Sequence, residues 1–261
     1  MSLNESAAAA VKKKITLLEE DFPRFAVRAT LGGVYLALGT AFAAVAGHAV
    51  EQLAPGMGSL TFSFLFGLGL FSIILLGADL ATGDMMYMVY GAVQKYTSWT
   101  KAFYLIIVCT IFNLIGAILI AVMLAQTAKF GNITPDHLIA TITEAKLHKG
   151  PFDALVEAIM ANFVVNMAVL GAVFCKDVAS KFLTIIPIIA MFVGMGLEHV
   201  IANFCLMSIT FFTSNPMIDS MAFGPVAMNW AVVWVGNVIG GGFLIGGLYA
   251  WLNRGSEAFR D

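Results

Sequence analysis

Residues 194–204 read GMGLEHVIANF. They lie between the apolar runs FLTIIPIIAMFV (182–193) and CLMSITFF (205–212). Glu198 and His199 stand side by side there, just after a Gly-x-Gly and ahead of Asn203. Such residues are expensive in a hydrocarbon environment and mark functional positions by default. The surroundings leave little doubt about the environment. Of 261 residues, 60% are hydrophobic and 11% charged, with mean hydropathy +0.89. A soluble domain carries about 25% charged residues, and several runs here exceed the ~18 apolar residues that cross a bilayer. An all-α integral membrane protein is predicted.

Residues 1–25 read as an amphipathic helix, with Val11, Ile15, Leu18 and Phe22 on one face and Pro23 ending or kinking it. This start is not a signal peptide: Lys12, Lys13 and Lys14 precede only a short apolar stretch before Glu19, Glu20 and Asp21, with no cleavage site. Six spans are expected at 26–48, 60–95, 100–127, 152–174, 180–211 and 226–252. An external loop covers 128–151 and a tail covers 253–261. With the N-terminus inside, eleven Lys and Arg (Lys12, Lys13, Lys14, Arg24, Arg28, Lys95, Lys101, Lys176, Lys181, Arg254, Arg260) face the cytoplasm and three (Lys129, Lys146, Lys149) face out. That asymmetry places both termini in the cytoplasm. Cys109, Cys175 and Cys205 show no metal or redox spacing and read as small core residues.

The chain repeats itself. NLIGAILI from Asn113 echoes NVIGGGFLI from Asn237, and LLGADLATGDMM (75–86) echoes FVGMGLEHVIAN (192–203). Three spans per half make the two repeats, 26–127 and 152–252, inverted, with a site where broken spans two and five meet. Aligning Gly77 with Gly194 sets Thr82 on His199. His199 then faces the pore and Thr82 fixes its tautomer. Glu198, about 100° away on a helix, reads as structural: its carboxylate would accept hydrogen bonds from backbone amides freed at Gly194 and Gly196. Asp79 and Asp84 mark the first break, with Asp84 expected to N-cap a half-helix starting at Met85. Asn162 is a lumen candidate, whereas Asn113, Asn166 and Asn237 read mainly as interhelical glue. Asn203 is grouped with the structural residues of the break.

GLEHVIAN (196–203), ANFVVNMAV (161–169), VGNVIGGGFLIG (235–246) and the Asp/Thr-bearing break of span two together resemble the formate/nitrite transporter family, over nearly the whole chain. The resemblance implies an aquaporin-like protomer with an inverted repeat, five of which form a ring in the plasma membrane, each with its own pore. It puts His199, Thr82 and Asn162 at the pore centre and Leu80 and Phe192 at apolar constrictions, joined by Phe66, Leu70 and Val165. It makes Lys146, or its neighbour Lys149, the outer-vestibule lysine, and gives Lys14 a part in gating by the N-terminal helix. Substrates in the family are small weak-acid anions; the sequence is most similar to the hydrosulfide branch, with formate or nitrite as the alternative. The implied mechanism has His199 give a hydrogen bond or proton to the anion between the constrictions. No cofactor, metal or nucleic acid is expected. An intramembrane zinc protease needs paired His, yet His48, His137 and His148 lie in loops or at span ends, and an aspartyl protease needs two facing aspartates. A water or glycerol channel would need paired Asn-Pro-Ala motifs, and the one Asn-Pro, Asn215-Pro216, is in a loop.

Overall fold

A single residue, Asp21, separates the amphipathic segment from the first long helix. The computed structural model describes residues 2–255 and Asp261; residues 256–260 of the tail, with Arg260, lie outside the described residues. Helix α1 (Leu3–Glu20) begins at a reciprocal cap: the Ser2 hydroxyl accepts from the Glu5 N–H and the Glu5 carboxylate accepts from the Ser2 N–H. Asp21 ends α1 and caps α2 (Phe22–Leu53) by accepting from the Arg24 N–H at 3.3 Å. Pro23 therefore does not end the first helix. It sits in the first turn of the second, where a missing N–H leaves no helical bond unmade.

The chain continues through α3 (Gly58–Leu76), α4 (Ala81–Val93), α5 (Trp99–Ala125), α6 (Leu138–Leu147), α7 (Pro151–Phe174), α8 (Val178–Gly194), α9 (Val200–Thr213) and α10 (Phe223–Asn237). From α10 it runs without interruption through a π-helical segment, Val238–Gly247, into α11 (Leu248–Leu252). By length and composition, five stretches suffice to cross a membrane: α2, α3, α5, α7 and Phe223–Leu252. Helices α8 and α9 are apolar but shorter, and a non-helical break parts α8 from α9 as another parts α3 from α4. Among the described residues there is no strand, only a bridge between Ile133 and Ser214.

The packing repeats. Helix α2 packs on α3 and α5 as α7 packs on α8 and on α10 with its π extension, and α5 lies on α9 as the π segment lies on α4.

Small residues let the backbones approach. A Cβ built on Gly116 of α5 would lie 2.1 Å from the Thr30 carbonyl oxygen, and one on Gly240 would lie 1.9 Å from that of Ile159. Neither distance is sterically tenable. Substitution of Gly116 or Gly240 by Val is expected to destabilise beyond the ~1–3 kcal/mol usual for overpacking, because the obstacle is backbone. Gly224→Ala, where a Cβ meets nothing within 4 Å, should be near neutral. Thermal unfolding in detergent distinguishes the two cases.

Candidate functional site

Two helix breaks face each other and are built alike. At the first, α3 ends on Gly77 in the left-handed conformation (φ 69°), and extended Leu80 (φ −116°, ψ 121°) precedes α4. At the second, Gly196 (φ 68°) plays that part, and extended His199 (φ −127°, ψ 121°) precedes α9. The correspondence is therefore Gly77 with Gly196, Leu80 with His199 and Asp79 with Glu198. Thr82 is not the repeat mate of His199, because Gly194 is still helical and the true break is two residues later.

Asn113 of α5 and Asn237 at the end of α10 each close one break. The Asn113 oxygen accepts from the Ala81 N–H at 2.9 Å, while its amide donates to the carbonyls of Ala29 (2.6 Å) and Asp79 (2.9 Å). Asn237 accepts from the Val200 N–H at 2.8 Å and donates to the carbonyls of Ala158 (2.8 Å) and Glu198 (3.0 Å). Each side chain satisfies one amide and two carbonyls that neither helix nor hydrocarbon would satisfy. Arg28 adds a bond to the Gly77 carbonyl at 2.6 Å.

His199 and Thr82 meet across the two breaks. The His199 Nε2 lies 2.8 Å from the Thr82 Oγ1, and the His199 Nδ1 accepts from the Ala202 N–H at 3.1 Å. With Nδ1 accepting, a neutral ring carries its proton on Nε2 and donates it to the Thr82 hydroxyl. Both residues are buried, and the Phe192 ring lies 5.7 Å from the imidazole.

A cavity opens on either side of this pair. One, of about 390 Å³, is lined by Phe66, Phe192, Leu197, Ser63, Lys146 and Lys149. The other, of about 330 Å³, is lined by Lys14, Leu70, Asp79, Leu80, Gly83 and Asp84. The apolar candidates thus divide, Phe66 and Phe192 to one cavity and Leu70 and Leu80 to the other, while Val165 is buried in the core.

Charged groups close each cavity. Lys14 of α1 bridges Asp79 and Asp84, the latter at 2.7 Å. Asp84 does not cap a helix at Met85: α4 has already begun at Ala81, and Asp84 lies in its first turn. On the other side Lys146 and Lys149 converge on one oxygen of Glu198, at 2.8 and 2.9 Å. The second Glu198 oxygen accepts from the Asn203 amide at 2.6 Å. Glu198 is thus held by side chains, not by freed backbone amides, since Asn237 and His199 already take the amides of Val200 and Ala202. Burial lowers the Lys146 pKa against the opposing pull of Glu198. Burial also works against the charge of Lys149, but Glu198 and Glu157 outweigh it and raise its pKa.

Asn162 donates to the carbonyls of Thr82 (3.1 Å) and Asn237 (2.8 Å), and Asn166 also donates to the Thr82 carbonyl (3.1 Å). Both asparagines are fully buried. They fasten the first turn of α4 to α7. Sequence reasoning missed Asn229, which shares Asn203 and the Lys146 carbonyl, and Glu157, which pairs with Lys149. The one signal for Glu157 is an acid one turn past Asp153 on an otherwise apolar α7. Among the described residues no group of three His, Cys, Asp or Glu is placed to hold a metal.

Replacing Asn113 or Asn237 by Leu strands three buried backbone groups. At ~1–3 kcal/mol each, a loss of about 3 kcal/mol or more is expected, read as a lowered thermal midpoint in detergent. A pH effect is expected at α6, the helix carrying Lys146. The Nδ1 atoms of His48 and His137 accept from the N–H groups of Leu138 and Ile139, and the two rings stack at 4.1 Å. Burial, then the neighbouring His48, push the His137 pKa down from 6.5 to about 4, with Asp136 opposing and Lys129 adding. The unfolded chain binds this proton below about pH 6.5, and the folded chain resists it until about 4. Stability is therefore complete above the higher value and falls as pH drops toward the lower. His137→Asn, which keeps an acceptor, should flatten that part of the midpoint-versus-pH profile.

Comparison with known proteins agrees with this architecture. The formate/nitrite transporter family model matches residues 2–251. The formate channel BtFdhC of Bacillus thuringiensis is 29% identical over 92% of this chain and 90% of its own. A solved FNT family ion channel superposes with TM-score 0.88 at 22% identity over 95% of this chain and 97% of the other, a likeness of fold. A pentameric formate channel with formate bound superposes with TM-score 0.75 at 26% identity, covering 88% and 96%. The chain belongs to the formate/nitrite transporter family.

Proposed function

We propose that the chain is a membrane channel for small monovalent weak-acid anions, formate foremost, and that it is not an enzyme. The observation that carries this reading is the His199–Thr82 pair between two separate cavities. The names of the relatives support formate over the hydrosulfide that whole-sequence resemblance suggested. Hydrosulfide remains the second reading, favoured by the mildness of the donors at the seam: a neutral imidazole and a hydroxyl suit an anion whose conjugate acid is weak.

The anion collects at Lys146 and Lys149, on the side taken as external from the Lys/Arg asymmetry. The aromatic pair Phe66–Phe192, with ring centroids 6.1 Å apart, strips water and excludes bulky solutes. At the seam the N-termini of α4 and α9 add positive potential. The Thr82 hydroxyl, held by the His199 Nε2–H, turns its own hydrogen toward the anion. The single N–H of His199 is spent on Thr82, so the anion takes its proton from water of the outer cavity while the Thr82 hydroxyl holds it. The neutral acid passes Leu80 and Leu70 into the second cavity, where it returns the proton to water. There Lys14, on the cytoplasmic helix α1, bridges Asp79 and Asp84 and holds the exit shut until α1 moves. Protomers assemble as a homopentamer in the plasma membrane with both termini inside.

The test is uptake into proteoliposomes of formate, nitrite, hydrosulfide, chloride and water at pH 6 and pH 8. Formate uptake should exceed chloride uptake by at least tenfold and be faster at pH 6. His199→Phe should lose that pH dependence, and Lys14→Ser should raise basal flux severalfold. Water flux alone, or unchanged anion flux and pH dependence in His199→Phe, would sink the reading.

A further inference from the structure

The outer cavity is walled by more positive charge than its neighbourhood carries in total. Lys146 and Lys149 both line it. Two carboxylates balance them. Glu198 is fully buried and fixed by Asn203 as well as by both ammonium groups. Glu157 is different. It rises from α7, its side chain is 27% exposed, and its one ionic partner among the described residues is Lys149, itself 23% exposed. Lys149 has other anchors: the Gly196 carbonyl at 2.8 Å and Glu198 at 2.9 Å. The lysine would thus stay at the break without Glu157. The carboxylate of Glu157 adds little to its position and subtracts one unit of charge from the field at the cavity wall.

We infer that Glu157 is a tuning residue for anion entry: it partly neutralises Lys149 and sets how strongly the outer cavity concentrates anions. This rests on the reading of that cavity as the anion entrance. The role differs from that of Glu198. Removing Glu198 would leave two partly buried lysines and two asparagines without their shared acceptor. Removing the charge of Glu157 leaves the break intact and releases positive potential toward the solvent side. The effect is electrostatic, so it acts on collection and not on passage through the seam. It belongs to the regime of limiting anion and is erased by salt.

The experiment is initial-rate uptake of formate into proteoliposomes, with Glu157→Gln, Glu157→Asp, Lys149→Gln and the Lys149→Gln/Glu157→Gln double variant. Each is measured at about 20 mM and about 500 mM ionic strength. At limiting formate and low salt, Glu157→Gln should take up formate roughly two- to fivefold faster, the size expected for one unit charge at about 6–8 Å in a medium between protein surface and water. At saturating formate the rates should converge. Glu157→Asp should match the unaltered protein, Lys149→Gln should fall by a similar factor, and the double variant should return close to the starting rate. In high salt all four should coincide. If Glu157→Gln alone does not assemble, the double variant is compared with Lys149→Gln: a double variant no faster than Lys149→Gln at low salt overturns the inference. An unchanged or reduced rate in Glu157→Gln at low salt overturns the inference, as does a rise that survives high salt. An unaltered protein that takes up no anion in any condition overturns the underlying function instead.

Discussion

The structure depends on satisfying backbone that leaves a helix inside a hydrocarbon layer. No solvent reaches such groups, and each one left unpaired is costly. Asn113 and Asn237 solve this with the same three bonds apiece. A carboxamide is the smallest side chain that offers a donor pair and an acceptor in one plane. It can take one freed N–H and give to two freed carbonyls together. Once these bonds are made, Leu80 and His199 have fixed extended geometry, and α4 and α9 have fixed starting points. The His199–Thr82 contact follows from that placement.

The carboxylates beside the breaks answer a second demand. Asp79 and Glu198 occupy matching positions, and each is met by lysine from outside the crossings: Lys14 from α1, Lys146 and Lys149 from the segment around α6. Ion pairs stand at the two ends and neutral groups at the centre. An anion passing through meets charge where water still reaches and hydrogen-bond donors where it does not. The two ends are not equivalent, however. Lys14 arrives on a helix that packs against the body largely through its own short apolar face, whereas Lys146 is on a helix tied down by His48, Thr210 and Ser220.

Much of this was legible in the sequence because polar residues in apolar runs have few innocent explanations. GMGLEHVIAN and GADLATGD announced the two breaks, and the pairing of His199 with Thr82 was within reach. The register was misread because Gly194 and Gly196 look alike on paper. Only the conformation distinguishes them: a left-handed φ at Gly196 and an ordinary helical end at Gly194. Asn113 and Asn237 were recognisable as glue, but what they bind lies 32 and 37 residues away. The charge cluster was the least legible part. Lys146 was the better match for the vestibule lysine with Lys149 close beside it, and the two converge on one oxygen. Asn229 carried no local signal and Glu157 only that of an acid on an apolar helix, since their meaning arises from helices brought together by the fold.

The closure of the first break has a consequence for how the chain is made. Ala29, Asp79, Ala81 and Asn113 all lie in the first half, and Ala158, Glu198, Val200 and Asn237 all lie in the second. Each half supplies the asparagine that closes its own interruption, and only the bonds from Asn162 and Asn166 to the Thr82 carbonyl come to the first break from the second half. A ribosome that has released α5 has delivered all the partners of Asn113 before α7 exists. The bond between His199 and Thr82 is of another kind, since its partners are 117 residues apart and belong to different halves. The asparagine closures can form half by half during synthesis, whereas the His199–Thr82 contact needs both halves present.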